Sequence, residues 1–411
     1  MKKVLSIVLA FALILSCVGI LAGCGSNGNN QADADSGNKV SSDKIKFGII
    51  CLHDENSTYD KNFLDAVKSV QSELGLTDSQ VIIKTNVDES DACYSAAVDL
   101  VEQGCNIVFA NSFGHEDYVI QAAKDYPEVE FCHATGTKAH TEKLDNYHNA
   151  FASIYEGRFL AGVAAGMKIQ EMIDSGKIKA SEAKIGYVGA FPYAEVKSGY
   201  TSFFLGARYI CKDVTMEVKY TNSWYDEALE KEAATTLINN GCVLISQHAD
   251  SWGAPTACES AGIPNVSYNG STIKACPNTF IVSSRINWAP YFKYIIKCVV
   301  SGEKISTDKC MTIADGAVEL TDINTTVAAK GTEEKIAEVK AMLEKGELHV
   351  FDASTFTVEG KTLSSYKADV DSDANYTPDT EVISDGYFHE SEYRSAPYFD
   401  LVIDGITVPA E

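Results

Sequence analysis

The stretch Phe47-Gly48-Ile49-Ile50-Cys51-Leu52 opens a series of short apolar runs that alternate with amphipathic segments. Continuous apolar runs of this length, bounded by polar residues, are typical of parallel strands buried on both faces. Similar runs follow at 81–85, 105–110 and 131–134, and helical periodicity fills the intervals near 60–74, 90–103 and 117–126. This order of segments predicts an α/β fold built on a parallel sheet.

After the run at 149–154, a second series of the same kind begins. Its predicted strands lie at 184–190, 216–220, 243–247 and 264–268, and its predicted helices lie near 156–169, 194–210, 226–239 and 254–261. A third strand-helix unit follows, with a strand at 280–286 and a helix at 290–300. The chain therefore predicts two lobes, each a doubly wound, mostly parallel sheet, with a ligand cleft at the carboxyl ends of the strands.

Composition sets the remaining boundaries. Residues 25–44 are rich in Gly, Ser, Asn and Asp and have almost no apolar side chains, which is typical of a flexible tether. The chain is predicted to begin with a signal peptide at 1–23 and a lipid-anchored tether at 24–44. Lobe 1 is predicted at 45–152 plus about 273–313, and lobe 2 at 153–272 plus about 314–350. A strand-containing extension at 351–411 is predicted to pack on a lobe. Hinge crossovers between the lobes are expected near 151–156, 269–273 and 311–316.

The N-terminus carries the pattern of a lipoprotein signal. Lys2 and Lys3 precede an apolar run at 4–20, and Leu21-Ala22-Gly23-Cys24 closes the segment. This tetrapeptide resembles the lipobox of bacterial lipoproteins, whose cysteine takes the lipid after the signal is removed. A transmembrane anchor is the alternative, but the apolar run is shorter than the ~20 residues needed to span a bilayer. We expect a chain anchored through Cys24 to the extracytoplasmic face of the cell membrane.

Charge and motif content argue against several classes of protein. The formal net charge of −23 at pH 7 repels phosphates, so no nucleic-acid partner is expected. The chain has no G-x-S-x-G elbow, no H-E-x-x-H helix, no G-x-x-x-x-G-K-[ST] loop, and no G-x-G-x-x-G after the first predicted strand. We therefore predict a protein that is not an enzyme, with no catalytic residue, metal ligand or cofactor. The alternative, a surface-anchored hydrolase, would need a nucleophile and a base that converge in the cleft.

Aromatic, amide and carboxylate residues collect just after the predicted strand ends. The first cluster is His53-Asp54-Glu55-Asn56-Ser57-Thr58-Tyr59-Asp60, where Ser57 or Thr58 could cap the next helix and Tyr59 could stack on a planar ligand. A capping loop with a packed tyrosine is the alternative interpretation. Later loops carry Asn111-Ser112-Phe113-Gly114, Trp224-Tyr225-Asp226 and Gln247-His248-Ala249-Asp250-Ser251-Trp252. Each cluster lies where a cleft residue is expected.

Several of these segments resemble the Bmp family of solute-binding lipoproteins, the purine-nucleoside-binding group associated with ABC importers. The similarity runs from about 47 to 302 and includes Gly189-Ala190-Phe191-Pro192-Tyr193-Ala194-Glu195-Val196 and Asn222-Ser223-Trp224-Tyr225-Asp226. A branch of the family associated with the free base adenine is similar in Tyr155-Glu156-Gly157-Arg158 and Trp288-Ala289-Pro290-Tyr291. The resemblance implies a two-lobed periplasmic-binding-protein-like fold of type I.

The resemblance also implies roles for individual residues. Tyr59 falls where the family has an aromatic ring that stacks on the purine. Asn56 replaces the family's first aspartate, which contacts the base, and Asp60 occupies the family's asparagine position. Asn269 lies in the segment where the nucleoside binders have an aspartate. The candidate ligand-binding residues are Tyr59, Asp60, Asn111, Phe113, Glu156, Phe191, Trp224, Asp250 and Asn269.

Together these features predict an extracytoplasmic substrate-binding lipoprotein of an ABC importer, which binds an adenine-like or adenosine-like purine by hinge closure. The expected partners are a purine base or nucleoside, an ABC permease and, through the lipid, the membrane; a monomer is expected. Two alternatives remain open: a receptor for a membrane sensor, and a binder of a sugar or other small polar solute. Arg158 is predicted to pair with a carboxylate in the hinge region.

Overall fold

The structure is a computed structural model that describes residues 39–370 and 378–409. The predicted signal peptide, Cys24 and most of the predicted tether therefore lie outside the described residues. Within the described ranges, no helix is long and apolar enough to cross a membrane.

Strands and helices alternate through most of the described chain. In chain order, the strands are β1 (Phe47–Ile50), β2 (Val81–Lys84), β3 (Ile107–Ala110), β4 (Glu130–Ala134), β5 (Tyr147–Ala152), β6 (Lys184–Gly189), β7 (Thr215–Tyr220), β8 (Leu244–His248), β9 (Asn265–Tyr268), β10 (Phe280–Ile286), β11 (Asp308–Met311), β12 (Val318–Leu320), β13 (Lys367–Ala368), β14 (Thr380–Glu381), β15 (Ile383–Ser384), β16 (Tyr387–Phe388) and β17 (Ile406–Thr407). The α-helices are α1 (Thr58–Leu74), α2 (Asp91–Glu102), α3 (Glu116–Asp125), α4 (Ala139–Glu142), α5 (Ile154–Asp174), α6 (Ala194–Ile210), α7 (Glu227–Asn239), α8 (Gly253–Ala261), α9 (Ala289–Ser301) and α10 (Thr332–Glu344). Every strand and helix predicted above overlaps an observed one.

Two large sheets organise these elements. The first has the order β11-β5-β4-β3-β1-β2, and all its strands are parallel. The second has the order β12-β10-β9-β8-β6-β7-β17, in which only β12 runs antiparallel to its neighbour. In both sheets the strand order reverses direction near the first strand of each series, which opens a crevice at the carboxyl ends of the strands. The predicted α/β class with two mostly parallel sheets is confirmed.

The second crossover lies later in the chain than the sequence indicates. The sequence predicts that about 273–313 belongs to lobe 1, with a crossover near 269–273. In the structure, β10 belongs to the second sheet, where Ser284 pairs with Tyr268 of β9. The chain leaves this sheet only after β10, because Trp288 already stacks on Phe63 of α1, with ring centroids 4.6 Å apart. The run at 280–286 is apolar enough for either sheet, so pairing with β9 decides its place.

The C-terminal extension contacts both sheets rather than one. Its last strand, β17, adds to the edge of the second sheet through the pair Ile406 and Met216. In the same extension, the backbone N–H of Ser395 donates to Asp308 Oδ2 of the first sheet at 2.9 Å. The extension therefore connects the two lobes in addition to the hinge crossovers.

Helices α5 and α6 meet at their backbones, and each begins just after the carboxyl end of a strand. A Cβ atom on Gly162 of α5 would lie 2.0 Å from the carbonyl oxygen of Phe203, and one on Gly206 of α6 would lie 2.0 Å from that of Phe159. Only glycine permits this approach. The contact fixes the start of α6, which carries Glu195, relative to the start of α5 at the first crossover.

Candidate functional site

One cavity is lined by residues at the carboxyl ends of strands in both sheets and in the segments that follow them. It encloses about 400 Å³ of space between protein atoms, part of it open to solvent. These strands are β1, β3 and β4 in the first sheet and β6, β7, β8 and β9 in the second. The lining residues are Leu52, His53, Tyr59, Asp60, Ser112, Phe113, Thr135, Glu195, Trp224, His248, Asp250 and Tyr268.

The loop after β1 is shaped by the cap of α1. Ser57 Oγ accepts a hydrogen bond from the backbone N–H of Asp60 at 3.2 Å, so Ser57 is the N-cap residue. Thr58 is directed elsewhere, because its Oγ1 donates to the carbonyl oxygen of Asp250 at 3.0 Å. The cap places Tyr59 and Asp60 in the first turn of the helix, facing the cavity.

Asp60 is held as a charged carboxylate. Its Oδ1 accepts from Asn111 Nδ2 at 2.7 Å and from the backbone N–H of His53 at 3.1 Å. Burial raises the pKa of Asp60, but hydrogen bonds from His53, Asn111 and Ser57 outweigh that effect, and the pKa falls below its usual value. At neutral pH Asp60 is therefore an acceptor only. In turn, the Asp60 carboxylate raises the pKa of the His53 imidazole.

The environment of Asp250 acts in the opposite direction and favours the neutral carboxyl group. Only 8% of its surface is exposed, and burial raises the pKa of its carboxyl well above the usual value. The nearby charges of Asp60, Glu230 and Glu195 raise it further, while a hydrogen bond from Asn269 Nδ2, at 3.1 Å, lowers it in part. A neutral Asp250 can both donate and accept a hydrogen bond. The cavity thus holds two carboxyl groups with different hydrogen-bonding capacities.

A buried histidine and a glutamate form the wall contributed by the second sheet. His248 Nε2 lies 3.5 Å from Glu195 Oε1, and the His248 ring centroid lies 4.4 Å from that of Tyr268. Burial lowers the pKa of His248, although Glu195 opposes this effect, so its imidazole is neutral at pH 7. The ring fits beside α6 because Gly199 has no side chain; a Cβ there would lie 2.4 Å from His248 Nδ1.

Aromatic rings supply flat apolar surface around these polar groups. Tyr59 is fixed by its hydroxyl, which donates to the carbonyl oxygen of Asn111 at 2.7 Å. Trp224 is supported by Phe191, whose ring meets it edge to face at 5.2 Å and stacks on Tyr193 at 5.0 Å. Phe191 therefore lies behind Trp224 rather than on the cavity surface. Positioned rings of this kind suit a planar ligand.

The two lobes touch across the cleft. The carbonyl oxygen of Asp250 accepts from both the backbone N–H and the Oγ1 of Thr58, at 3.1 and 3.0 Å. Phe113 of the first lobe contacts Tyr193 of the second, with ring centroids 5.7 Å apart. The structure is therefore a closed form of the two-lobed protein.

The structure brings most of the candidate residues to this cleft. Those that line the cavity are Tyr59, Asp60, Phe113, Trp224 and Asp250. Asn111 and Asn269 are buried behind it, where they hold Asp60 and Asp250. Seven further residues line the cavity and are not among the candidates predicted from the sequence: Leu52, His53, Ser112, Thr135, Glu195, His248 and Tyr268.

Glu156 is not part of the cavity, contrary to the prediction. Its Oε2 accepts from the hydroxyl of Ser153 and, at 2.9 Å, from the backbone N–H of Ile313. Burial raises the pKa of Glu156, and these two hydrogen bonds offset the increase in part. Glu156 joins two crossovers because it lies in the first turn of α5, which begins at the hinge.

Arg158 has no carboxylate partner in the described chain, so the prediction of an ion pair is wrong. Its Nη2 donates to Tyr187 Oη at 2.7 Å, Ser246 Oγ at 3.0 Å and the carbonyl oxygen of Gln247 at 3.2 Å. The guanidinium carbon also lies 4.9 Å from the ring centroid of Tyr268. Arg158 enters the second lobe and supports the strand ends that carry His248, Asp250 and Tyr268.

Thr135 and Glu195 line the cavity but are not among the candidates predicted from the sequence, and the structure gives a reason for each. Thr135 adopts a φ of 67°, which is rare for a β-branched residue and is stabilised here by its surroundings. Glu195 lies in the first turn of α6. An acidic residue there is usually explained by its favourable interaction with the helix dipole, so it does not by itself indicate a binding site. The available signals were position, since both follow the carboxyl end of a strand, and for Glu195 its place in the segment 189–196 that resembles the Bmp family.

Comparison with known proteins agrees with this architecture. The family model described as Bmp, ABC transporter substrate-binding protein PnrA-like, matches residues 51–350. A purine-binding protein of Brucella abortus is 30% identical over 312 residues, which cover 75% of this chain and 83% of the relative. A putative ABC transporter glucose-binding protein of Haloferax volcanii is 33% identical over 187 residues, or 46% of this chain and 44% of the relative. A solved solute-binding protein from Aeropyrum pernix K1, 16% identical, matches with a TM-score of 0.63 over 75% of this chain and 93% of its own, which supports the fold.

Proposed function

Because the chain belongs to the Bmp family of PnrA-like ABC transporter substrate-binding proteins, we propose that its cleft captures a purine base or nucleoside for an ABC permease. The observation that carries this proposal is a cavity that combines the rings of Tyr59 and Trp224 with two carboxyl groups, Asp60 and Asp250, whose pKa values are shifted in opposite directions. The relative from Brucella abortus, named as a purine-binding protein, covers both lobes and supports the same ligand class.

The chemistry of the cavity suits the edge of a purine. A purine presents ring nitrogens that accept hydrogen bonds and N–H groups that donate them. The charged Asp60 can accept from an N–H group, and the neutral Asp250 can donate to a ring nitrogen. Stacking on Tyr59 and Trp224 would contribute about 1 kcal/mol per ring. The lining contains no lysine or arginine, which favours a base or nucleoside over a phosphorylated nucleotide.

The same contacts account for hinge closure. Asp60 belongs to the first lobe and Asp250 to the second, so a ligand that bonds both gains contacts only when the lobes meet. Differential affinity of this kind shifts the population towards the closed form, which a permease would recognise.

We propose a binding role without a covalent step. Besides the tyrosines, the hydroxyls that line the cavity are those of Ser112 and Thr135. Ser112 Oγ donates to Glu89 Oε1 at 2.6 Å, and Thr135 Oγ1 donates to the carbonyl oxygen of Ala134. Neither is hydrogen-bonded to His248 or His53, the cavity histidines, and this arrangement supports a binding role.

Thermal unfolding of the purified protein with single ligands tests the ligand class. The panel should contain adenine, guanine, hypoxanthine, their nucleosides, glucose, galactose and several amino acids. A purine at a hundredfold excess over its dissociation constant should stabilise the fold by about 2.7 kcal/mol, and this stabilisation should be about 1 kcal/mol smaller in Trp224→Ala at the same ligand concentration. A shift with glucose alone would contradict the proposal and favour the glucose-binding alternative suggested by the relative from Haloferax volcanii.

Loss of purine uptake in cells that lack the protein would separate a transporter component from a receptor for a membrane sensor. A transport role predicts slower uptake at low external purine, restored by the wild-type chain. Unchanged uptake together with intact purine binding would favour the sensor.

We further propose that Cys24 carries the lipid anchor. In Cys24→Ala the precursor should stay unprocessed, whereas the wild type should be shortened and enter the detergent phase on partitioning. Cys17→Ala is the matched control, because Cys17 lies within the apolar run and should be processed normally. Processing and detergent partitioning of Cys24→Ala at the wild-type level would disprove the anchor.

A further inference from the structure

A second cavity lies where the C-terminal extension meets the hinge. It encloses about 840 Å³ of space between protein atoms, part of it open to solvent. We call it the junction cavity, and its lining residues are His140, Ser153, Tyr155, Asp308, Cys310, Thr312, Glu390, Ser391, Glu392, Tyr393, Arg394 and Ser395. Half of this lining comes from the extension, which lies beyond residues 51–350, the range that the family model matches.

Two buried carboxyl groups are fixed in this cavity by backbone N–H groups. Asp308 Oδ2 accepts from the N–H of Ser395 at 2.9 Å, and only 3% of the Asp308 side chain is exposed. Glu390 Oε2 accepts from the N–H groups of Tyr398 and Phe399, at 3.1 and 3.0 Å, and Glu390 is 1% exposed. In each case one oxygen is anchored, so the direction of the other is set by the fold.

The second oxygen of each carboxyl group is unused. Asp308 Oδ1, Glu390 Oε1, Ser391 Oγ and Ser395 Oγ are all buried, and none makes a hydrogen bond of normal length and angle within the described ranges. Ser198 is the side chain near enough to Glu390 to offset part of the rise in its pKa. A buried polar atom left without a partner costs about 1–3 kcal/mol, so native proteins rarely leave several of them together. All four belong to residues that line the junction cavity, which marks it as a place for a hydrogen-bond donor.

The charges of the lining favour a cationic donor. Asp308, Glu390 and Glu392 face one guanidinium, that of Arg394, and one imidazole, that of His140, whose Nε2 lies 3.5 Å from Asp308 Oδ2. Arg394 directs its N–H groups to the backbone carbonyl oxygens of Asp369, Ala396 and Pro397. The guanidinium therefore leaves the free carboxyl oxygens without a donor.

The form of the cavity favours an organic ion over a bare metal ion. The described residues contain no group of three or more His, Cys, Asp or Glu residues placed to hold a metal. Tyr155 and Tyr393 add aromatic surface to the lining, and the faces of such rings attract ammonium groups. We propose that the junction cavity binds a small organic amine in its ammonium form, held by Asp308, Glu390 and the hydroxyls of Ser391 and Ser395.

Such a ligand would join the lobes in a cavity that shares no lining residue with the cleft. Asp308 lies on β11 of the first sheet, whereas the extension that carries Glu390 continues into β17 of the second. An amine bonded to both would strengthen the connection that the extension already makes, without entering the purine cleft.

Calorimetric titration of the full-length protein with 1,4-diaminobutane tests the proposal, with sodium chloride of equal ionic strength as the reference. The titration should be done at pH 8, because burial raises the pKa of Glu390 to about 7 and the amine is still protonated there. We expect saturable binding that weakens at least 10-fold in Asp308→Asn. Glu333→Gln, an exposed carboxylate on α10, is the matched control and should bind as the wild type does.

Ser395→Ala provides a second variant in case Asp308→Asn does not fold. It removes one unpartnered hydroxyl and keeps the backbone N–H that anchors Asp308, so folding should be retained while the amine affinity falls several-fold. The absence of saturable binding by the wild type would overturn the proposal and show that the cavity holds water only. Equal affinity in the wild type and both variants would overturn it as well, since the amine would then bind elsewhere.

Discussion

Asp250→Ala is expected to weaken purine binding by about 10- to 100-fold, whereas Asp250→Asn is expected to stay within a few-fold of the wild type. The reason is the protonation state, because a neutral carboxyl group and an amide have similar shapes and both donate and accept hydrogen bonds. Alanine removes the donor and leaves Asn269 Nδ2 without its partner, a loss of about 1.4–2.8 kcal/mol. Titration calorimetry on the three proteins measures the difference. An asparagine variant as weak as the alanine variant would show that Asp250 binds as a charged carboxylate.

The pH dependence of the free energy of unfolding tests the protonation of Asp250 independently. The pKa of Asp250 is higher in the folded protein than in the unfolded chain, so the folded state binds more protons above about pH 4. The wild type should therefore lose stability relative to Asp250→Asn as the pH rises from about 4 through the folded pKa, by at most about 1.4 kcal/mol per pH unit. Urea denaturation at pH 5, 6, 7 and 8 follows the difference. A constant difference across this range would mean that the pKa is not raised.

The sequence predicts where each strand and helix lies, because these depend on local patterns of apolar residues. Alternating apolar and amphipathic segments identify β1 to β10 and the helices between them, because a strand buried on both faces needs a continuous apolar run. The neighbouring strand of β10, and so the sheet that it joins, could not be predicted in this way. Its sequence, FIVSSRI, suits the interior of either sheet, and pairing with β9 depends on contacts that no local pattern encodes.

The site was predictable to the extent that position in the fold defines it. Tyr59, Trp224 and Asp250 follow strand ends, and the topology alone brings such residues to one cleft. Glu156 and Arg158 were misjudged because they are two positions apart on α5 and so face different surroundings. Glu156 turns towards the crossover at Ile313, while Arg158 turns into the second lobe. Neither direction follows from a motif that contains both residues.

Arg158→Met is expected to lower the free energy of unfolding by about 3 kcal/mol or more, the largest effect on stability proposed here. Methionine preserves the apolar packing of the side chain but leaves Tyr187 Oη, Ser246 Oγ and the carbonyl oxygen of Gln247 without their buried donor. Relief from burying a charge offsets only part of this loss, because each of these hydrogen bonds is charge-assisted. Urea denaturation of the variant and the wild type measures the difference.

Arg158→Lys and Arg208→Met complete the test. Lysine keeps the charge but lacks the planar fork, so it should rescue little of the stability. Arg208 donates to the carbonyl oxygen of Asp404 at 3.4 Å near the surface, and its replacement should cost less than about 1 kcal/mol. Since Arg158 supports Gln247 and Tyr268 at the edge of the cleft, Arg158→Met should also weaken purine binding. A stable Arg158→Lys variant with full affinity would show that the charge alone holds these strand ends.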